Sequence, residues 1–182
     1  VVRDPARHPE LAATDAVRVT SGDVTDAERV GVLAAGHDAA IHAAADLAVP
    51  ADLFFPAAAR ALAAGLASAG VDRLLVVGLA SVLPSVSGDL LMDTPGYPQE
   101  YRSFSLGHAA GTEALRQAGP ALGWLVLSPA GDFDHAGTGT GRYRRAAADA
   151  ASRIAYADLA VALLDEIETP RHRHVHLGVE QG

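Results

Sequence analysis

Leu74-Leu75-Val76-Val77-Gly78-Leu79-Ala80-Ser81 is the stretch whose reading decides the fold. It is near-continuously apolar, as a strand buried on both faces must be. Gly78 and Ser81 then stand at its carboxyl end, where ligands of open α/β sheets bind. Further β-branched or apolar runs lie on either side at Val1-Val2, Ala16 to Thr20, Ala39 to His42 and Gly123 to Leu127. Between them lie helical patterns at Asp26 to Ala35, Ala51 to Ala69 and Leu106 to Gln117. Such alternation predicts a doubly wound parallel sheet covered by helices, an α/β fold of the Rossmann-like kind. Leu74 to Gly78 and Ala39 to His42 are expected to be adjacent and central.

The local punctuation agrees. Thr25 before Asp26 and Pro50 before Ala51 read as helix entries, and Gly36, Gly70 and Gly119 as helix exits. Asp158 to Glu168 carries apolar residues on one helical face, and His174 to Val179 reads as a closing strand. The glycine cluster Gly137-Thr138-Gly139-Thr140-Gly141 lacks a preceding strand and a following helix, so it reads as a turn rather than a phosphate cradle. With 182 residues, 49% of them hydrophobic, the chain suits one domain over 1–182 with a real core.

Composition excludes several chemistries. All 14 basic residues are arginine, so a P-loop lysine, a Schiff base and a Tyr-x-x-x-Lys pair are ruled out. A net charge of −8 without a basic stripe argues against nucleic acid as a partner. The longest uncharged stretch, Leu74 to Gly88, is interrupted and falls short of the roughly 20 apolar residues that span a bilayer. No membrane segment is expected, and the absence of cysteine and of a leader pattern points to the cytoplasm. A homodimer is compatible with all of this.

Candidate site residues stand at the strand ends. Arg3, after Val1-Val2, occupies the place where a dinucleotide fold meets the adenosine ribose; an acid there reads NAD, an arginine the 2′-phosphate of NADP. Ser21-Gly22-Asp23-Val24 places Asp23 and Val24 beside an adenine ring. His42-Ala43-Ala44-Ala45 ends a strand in small residues, and Ala43 and Ala44 let a cofactor approach closely. Gly78 and Ser81 complete the series, with Ser81 the best single candidate for touching substrate or nicotinamide. His172, His174 and His176 alternate as residues on one strand face do. Zinc ligands more usually come from separate elements or from a helix, so no metal is assigned.

These motifs resemble a known family. Val-Arg-Asp-Pro at 2–5, Gly-Asp-Val at 22–24, Gly-Val-Asp-Arg-Leu-Leu-Val-Val-Gly at 70–78 with Ser81, Asp-Thr-Pro at 93–95 and Leu-Ser-Pro-Ala at 127–130 are similar to those of atypical short-chain dehydrogenase/reductase proteins, the NAD(P)H-binding and NADH-flavin-reductase-like relatives. Residues 153–158 and 165–168 resemble that family's late helix. The resemblance implies Arg3 and Asp23 on the adenosine side, Ala44 and Ser81 near the nicotinamide, and Pro129 with Ala130 beside the open face. It also implies a first strand and a glycine-rich turn, a unit of roughly 30 residues, upstream of Val1; the first βα unit is therefore expected to be missing from the chain as given.

The region after Ser81 holds Tyr97 and Tyr101 with no lysine four residues on, so Ser81, Tyr97, Tyr101 and His108 are the candidate catalytic groups. The expected function is an NAD(P)H-dependent oxidoreductase of a small planar acceptor, flavin- or quinone-like, with NADP as cofactor and NAD as the alternative. The rival expectations are a non-catalytic NAD(P)-sensing protein and a chain that retains the fold without binding.

Overall fold

The computed structural model describes residues 1–14 and 16–182. After a short helix α1 (Pro9–Ala12), the chain alternates α2 (Ala27–Ala34), β1 (Ala40–His42), α3 (Ala51–Ala69), β2 (Arg73–Val77), α4 (Arg102–Gln117) and β3 (Gly123–Pro129). It continues through β4 (Asp132–Asp134), β5 (Tyr143–Ala146), β6 (Arg153–Ala155), α5 (Tyr156–Glu168) and β7 (Val175–Gln181). Five strands form one sheet in the order β1-β2-β3-β7-β5, and β4 pairs with β6 beside it. The first four are parallel, while β5 runs antiparallel to β7. The expected α/β class and mostly parallel sheet are therefore present.

Burial follows the period-2 alternation of each central strand. Leu74, Trp124 and Val126 face α3 and α4, packing with Leu62, Leu66 and Leu115. Leu75, Leu125 and Leu127 face α5, packing with Leu159, Ala162 and Leu163. Every residue of β3 is buried, as the middle of a doubly covered sheet requires. α3 and α4 approach closely at Gly107, where a Cβ would lie 2.6 Å from the Ala51 carbonyl carbon. Gly70 ends α3 in the left-handed region at φ 73°, its amide bonded to Ala67 O and that of Val71 to Leu66 O. This is the paired bonding of a Schellman cap.

At the amino-terminal end of the sheet a buried polar knot joins the layers. Arg73, 4% exposed, donates to Glu166 Oε2 at 2.9 Å and to the carbonyls of Glu166, Gly123 and His172. Burial alone would raise the Glu166 carboxyl; hydrogen bonds from the His172 ring and from the Arg171 and His172 amides hold it below its usual value.

Several expectations need correction. Ala16 to Thr20 form no strand: Val2 meets Ser21 in a single parallel bridge, with Val2 N bonded to Thr20 O and Gly22 N to Val2 O. A strand needs a ladder on at least one side, and this pair has only itself. β1 is adjacent to β2, in register Ala40↔Leu74 to His42↔Val76, but it ends the hydrogen-bonded sheet rather than lying at its centre. Ile41 is accordingly exposed. Asp26, not Thr25, caps α2, its carboxylate accepting the Arg29 amide at 3.0 Å. α4 starts four residues before Leu106, at Arg102. The glycine cluster is a loop whose Thr140 and Gly141 amides bond to buried Asp158 at 2.8 and 2.7 Å, so they do not face a phosphate.

Candidate functional site

A cavity of about 950 Å³ lies between the Val2–Ser21 bridge and the free edge of β1. Its mouth gathers residues from three separate turns: Arg3, then Asp23 and Val24, then Ala43 and Ala44. These are five of the residues expected to hold a cofactor, brought together from positions up to 41 apart in the chain by the crossover through α2. Apolar side chains such as Val2, Val30, Leu33 and Phe54 form the walls.

The polar groups are locally organised. Asp23 accepts the Thr25 amide at 2.8 Å and the Thr25 hydroxyl at 2.7 Å. Those two bonds, with Arg3 nearby, hold its carboxyl below the usual range. Arg3 is ion-paired with Asp46, a partner that the sequence did not suggest. The Ala48 amide, 2.9 Å from Asp46, and then Arg3 keep that carboxyl ionised as well. The Ser21 hydroxyl donates to Arg3 O, and Arg29 reaches from α2 to Ser21 O, which ties the first two turns together, while the Arg3–Asp46 pair ties them to the third.

The other expected residues lie elsewhere. Gly78 follows β2 and fits against β3 and β7, where a Cβ would stand 2.5 Å from Val126 and 2.6 Å from Ser128 Oγ. Its smallness makes room for the Ser128–His176 hydrogen bond of 2.6 Å rather than for the large cavity. Ser81 is buried in the 3-10 turn Ala80–Val82, and its hydroxyl meets no protein partner among the described residues. Pro129 ends β3, and Ala130 is spent on the fold, its amide bonding to Val179 O and its carbonyl accepting from Asp149 N. Tyr97 packs beside Ala80, Leu83 and Leu91; burial and then Asp132 raise its phenol. Tyr101 is 67% exposed. His108 lies against Phe55, ring centroids 3.7 Å apart. None of these lines the large cavity.

The three alternating histidines diverge. His172 bonds to Glu166, His174 to Leu122 O, and His176 to Ser128. His174 adopts φ 57°, which breaks the strand alternation on which a shared face depends.

His42 is the residue that strand-end reasoning passed over. It is 7% exposed, lines the large cavity, and also lines a second cavity of about 20 Å³ with His108 and Thr112. Its signal in the sequence was its place immediately before the three alanines that shape the cavity mouth.

A protein family described as NAD(P)H-binding matches residues 1–170. The chain belongs to the NAD(P)H-binding family. Among solved structures, a "putative exported protein" from Burkholderia pseudomallei is 30% identical with a TM-score of 0.77, over 90% of this chain and 81% of that one. A "putative NADH-flavin reductase" from Streptococcus pneumoniae TIGR4 is 27% identical with a TM-score of 0.76, over 93% of this chain and 83% of that one. In Bacillus subtilis (strain 168), "uncharacterized protein YwnB" is 40% identical over 125 residues; the match spans 64% of this chain and 58% of that protein. Membership of this NAD(P)H-binding family bears out the resemblance to atypical short-chain dehydrogenase/reductase proteins and, with it, the Rossmann-like fold. A nicotinamide dinucleotide is the cofactor class that goes with the family. Among the described residues, no helix is long and apolar enough to cross a membrane.

Proposed function

We propose that the protein is an NAD(P)H-dependent reductase of a small planar acceptor, flavin- or quinone-like, and that the large cavity receives the dinucleotide. The observation that carries this reading is the convergence of Arg3, Asp23, Val24, Ala43 and Ala44 on one cavity of about 950 Å³. The size lies in the range of small-molecule and cofactor sites, roughly 300–1,000 Å³. The residues present fit such a cofactor: an arginine and an ionised aspartate at the mouth suit phosphate and ribose hydroxyls, and the alanines permit close approach. When bound, the dihydronicotinamide supplies a hydride. The protein supplies orientation, with Asp23 and Arg3 at the adenosine side and Ala43 and Ala44 along the nicotinamide side.

Among the described residues no tyrosine lines the cavity, and the chain has no lysine. That favours an acceptor whose reduced form takes its proton from water over a carbonyl that needs a dedicated acid. Arg3 favours NADP over NAD, and the acceptor is the only partner the reading requires. The same lack of a tyrosine or lysine at the cavity gives the second reading, a non-catalytic NAD(P) sensor.

Steady-state NADPH oxidation with flavin mononucleotide and with a short-chain quinone separates the two. Turnover with either acceptor is the expected result. Saturable dinucleotide binding without turnover establishes the sensor, and no binding at all overturns both.

A further inference from the structure

His42 and His108 come from different layers, the end of β1 and the middle of α4, and share the cavity of about 20 Å³. The remaining lining is apolar apart from Thr112, with Phe55, Leu62, Val76 and Val126 among it. The sheet register explains the placement. His42 pairs with Val76, Val76 with Val126, and Val126 with His176, so one transverse row carries all four side chains to the α3–α4 face.

The hydrogen bonds then define which ring atoms are committed. His42 Nδ1 accepts the Ala44 amide at 3.4 Å, which leaves the ring proton on Nε2. Among the described residues, no protein group pairs with His42 Nε2 or with either ring nitrogen of His108. Burial holds both rings neutral at pH 7, each pushed down to about 4. The Thr112 hydroxyl donates to His108 O at 3.2 Å and keeps free lone pairs. A cavity of this size holds one water, whose minimum is roughly 10–15 Å³, provided it finds two to four polar partners.

We propose that this cavity is a buried water site in which one water accepts from His42 Nε2, donates to a His108 ring nitrogen and contacts Thr112 Oγ1. The water fixes the His42 ring. The ring in turn holds the Ala44 amide and so the Ala43–Ala45 wall of the large cavity. His42 is thus a positioning residue for the dinucleotide, a role that rests on the functional reading above, whereas the water site itself does not.

The test uses the full chain with ¹⁵N-labelled histidine, comparing wild type with Thr112→Val and His108→Phe. Wild-type His42 should show the Nε2–H tautomer. Its Nε2 shift should move in both variants while His176, bonded to Ser128 outside the cavity, stays unchanged and reports an intact fold. NADPH Kd should rise about three- to tenfold in each variant, the loss of roughly one hydrogen bond. If His108→Phe does not fold, the near-isosteric Thr112→Val carries the test alone. An Nδ1–H tautomer at His42, or a His42 signal unmoved in a folded variant, overturns the water site. Moved shifts with an unchanged Kd overturn the positioning role. Absence of NADPH binding to the wild type overturns the functional reading and the positioning role with it, and the chemical shifts still decide the water site.

Discussion

In the proposed reading Arg3 carries the cofactor preference, and Asp46 opposes it. The guanidinium is more than half exposed yet already paired with a carboxylate, so a 2′-phosphate has to displace Asp46 to reach it. Two substitutions read this competition. Arg3→Ala should weaken NADP much more than NAD, by about tenfold or more for a lost charge-assisted pair. Asp46→Asn should strengthen NADP several-fold and leave NAD nearly unchanged. Titration calorimetry with both dinucleotides checks it; equal losses in Arg3→Ala remove Arg3 from the 2′-phosphate site. The strand-end logic picked out Arg3, Asp23 and Ala44 because chain order alone places strand ends on one edge. It could not find Asp46, whose role depends on a contact 43 residues away. It also picked out Gly78, whose lack of a side chain serves packing against Val126 and Ser128.

At the level of elements, α3 was legible to the residue, running Ala51–Ala69 as read with Gly70 closing it, while the start of α4 lies four residues before the expected Leu106. The short polar strands were not legible. β4, β5 and β6 have three or four residues each with charged or exposed positions, and their pairing with β6 and β7 comes from tertiary contact rather than from an apolar period. The knot around Arg73 is likewise invisible in sequence, since its partners Glu166 and His172 lie about 95 residues downstream. Its energetic role is testable. Glu166→Ala leaves Arg73 buried and uncompensated, and should destabilise the protein by about 3–5 kcal/mol in urea denaturation. A loss below about 1 kcal/mol would show that water reaches the knot. Gly107→Ala, which drives a methyl into the Ala51 backbone, should cost about 1–3 kcal/mol in the same experiment. A neutral result would mean that α3 and α4 slide apart freely.

Across the whole molecule, the α3–α4 face hides three imidazoles, His42, His108 and His176, each pushed down to about 4 chiefly by burial. Nearby histidines add to the effect at His108 and Arg116 adds to it at His176. Because the folded values lie below the unfolded value of 6.5, the unfolded chain binds more protons between the two. The stability these residues contribute is therefore present above pH 6.5 and is lost as pH falls toward 4. For a marginally stable domain, with about 5–15 kcal/mol in all, the melting temperature should be flat above pH 6.5 and drop steeply below it. A melting temperature unchanged down to pH 4.5 would mean that the rings are solvated.

The same scale holds the claim on which the functional account rests, that the cavity between the Val2–Ser21 bridge and β1 is where the dinucleotide sits. Ala44→Trp places an indole in the mouth of that cavity at an exposed position and touches no buried contact of the sheet. NADPH titrated calorimetrically into wild type and Ala44→Trp, both matched in melting temperature, tests the claim directly. The account predicts saturable one-to-one binding to the wild type and at least a hundredfold weaker binding, about 2.7 kcal/mol, to the variant. Equal affinities for the two proteins would place the cofactor elsewhere and contradict it.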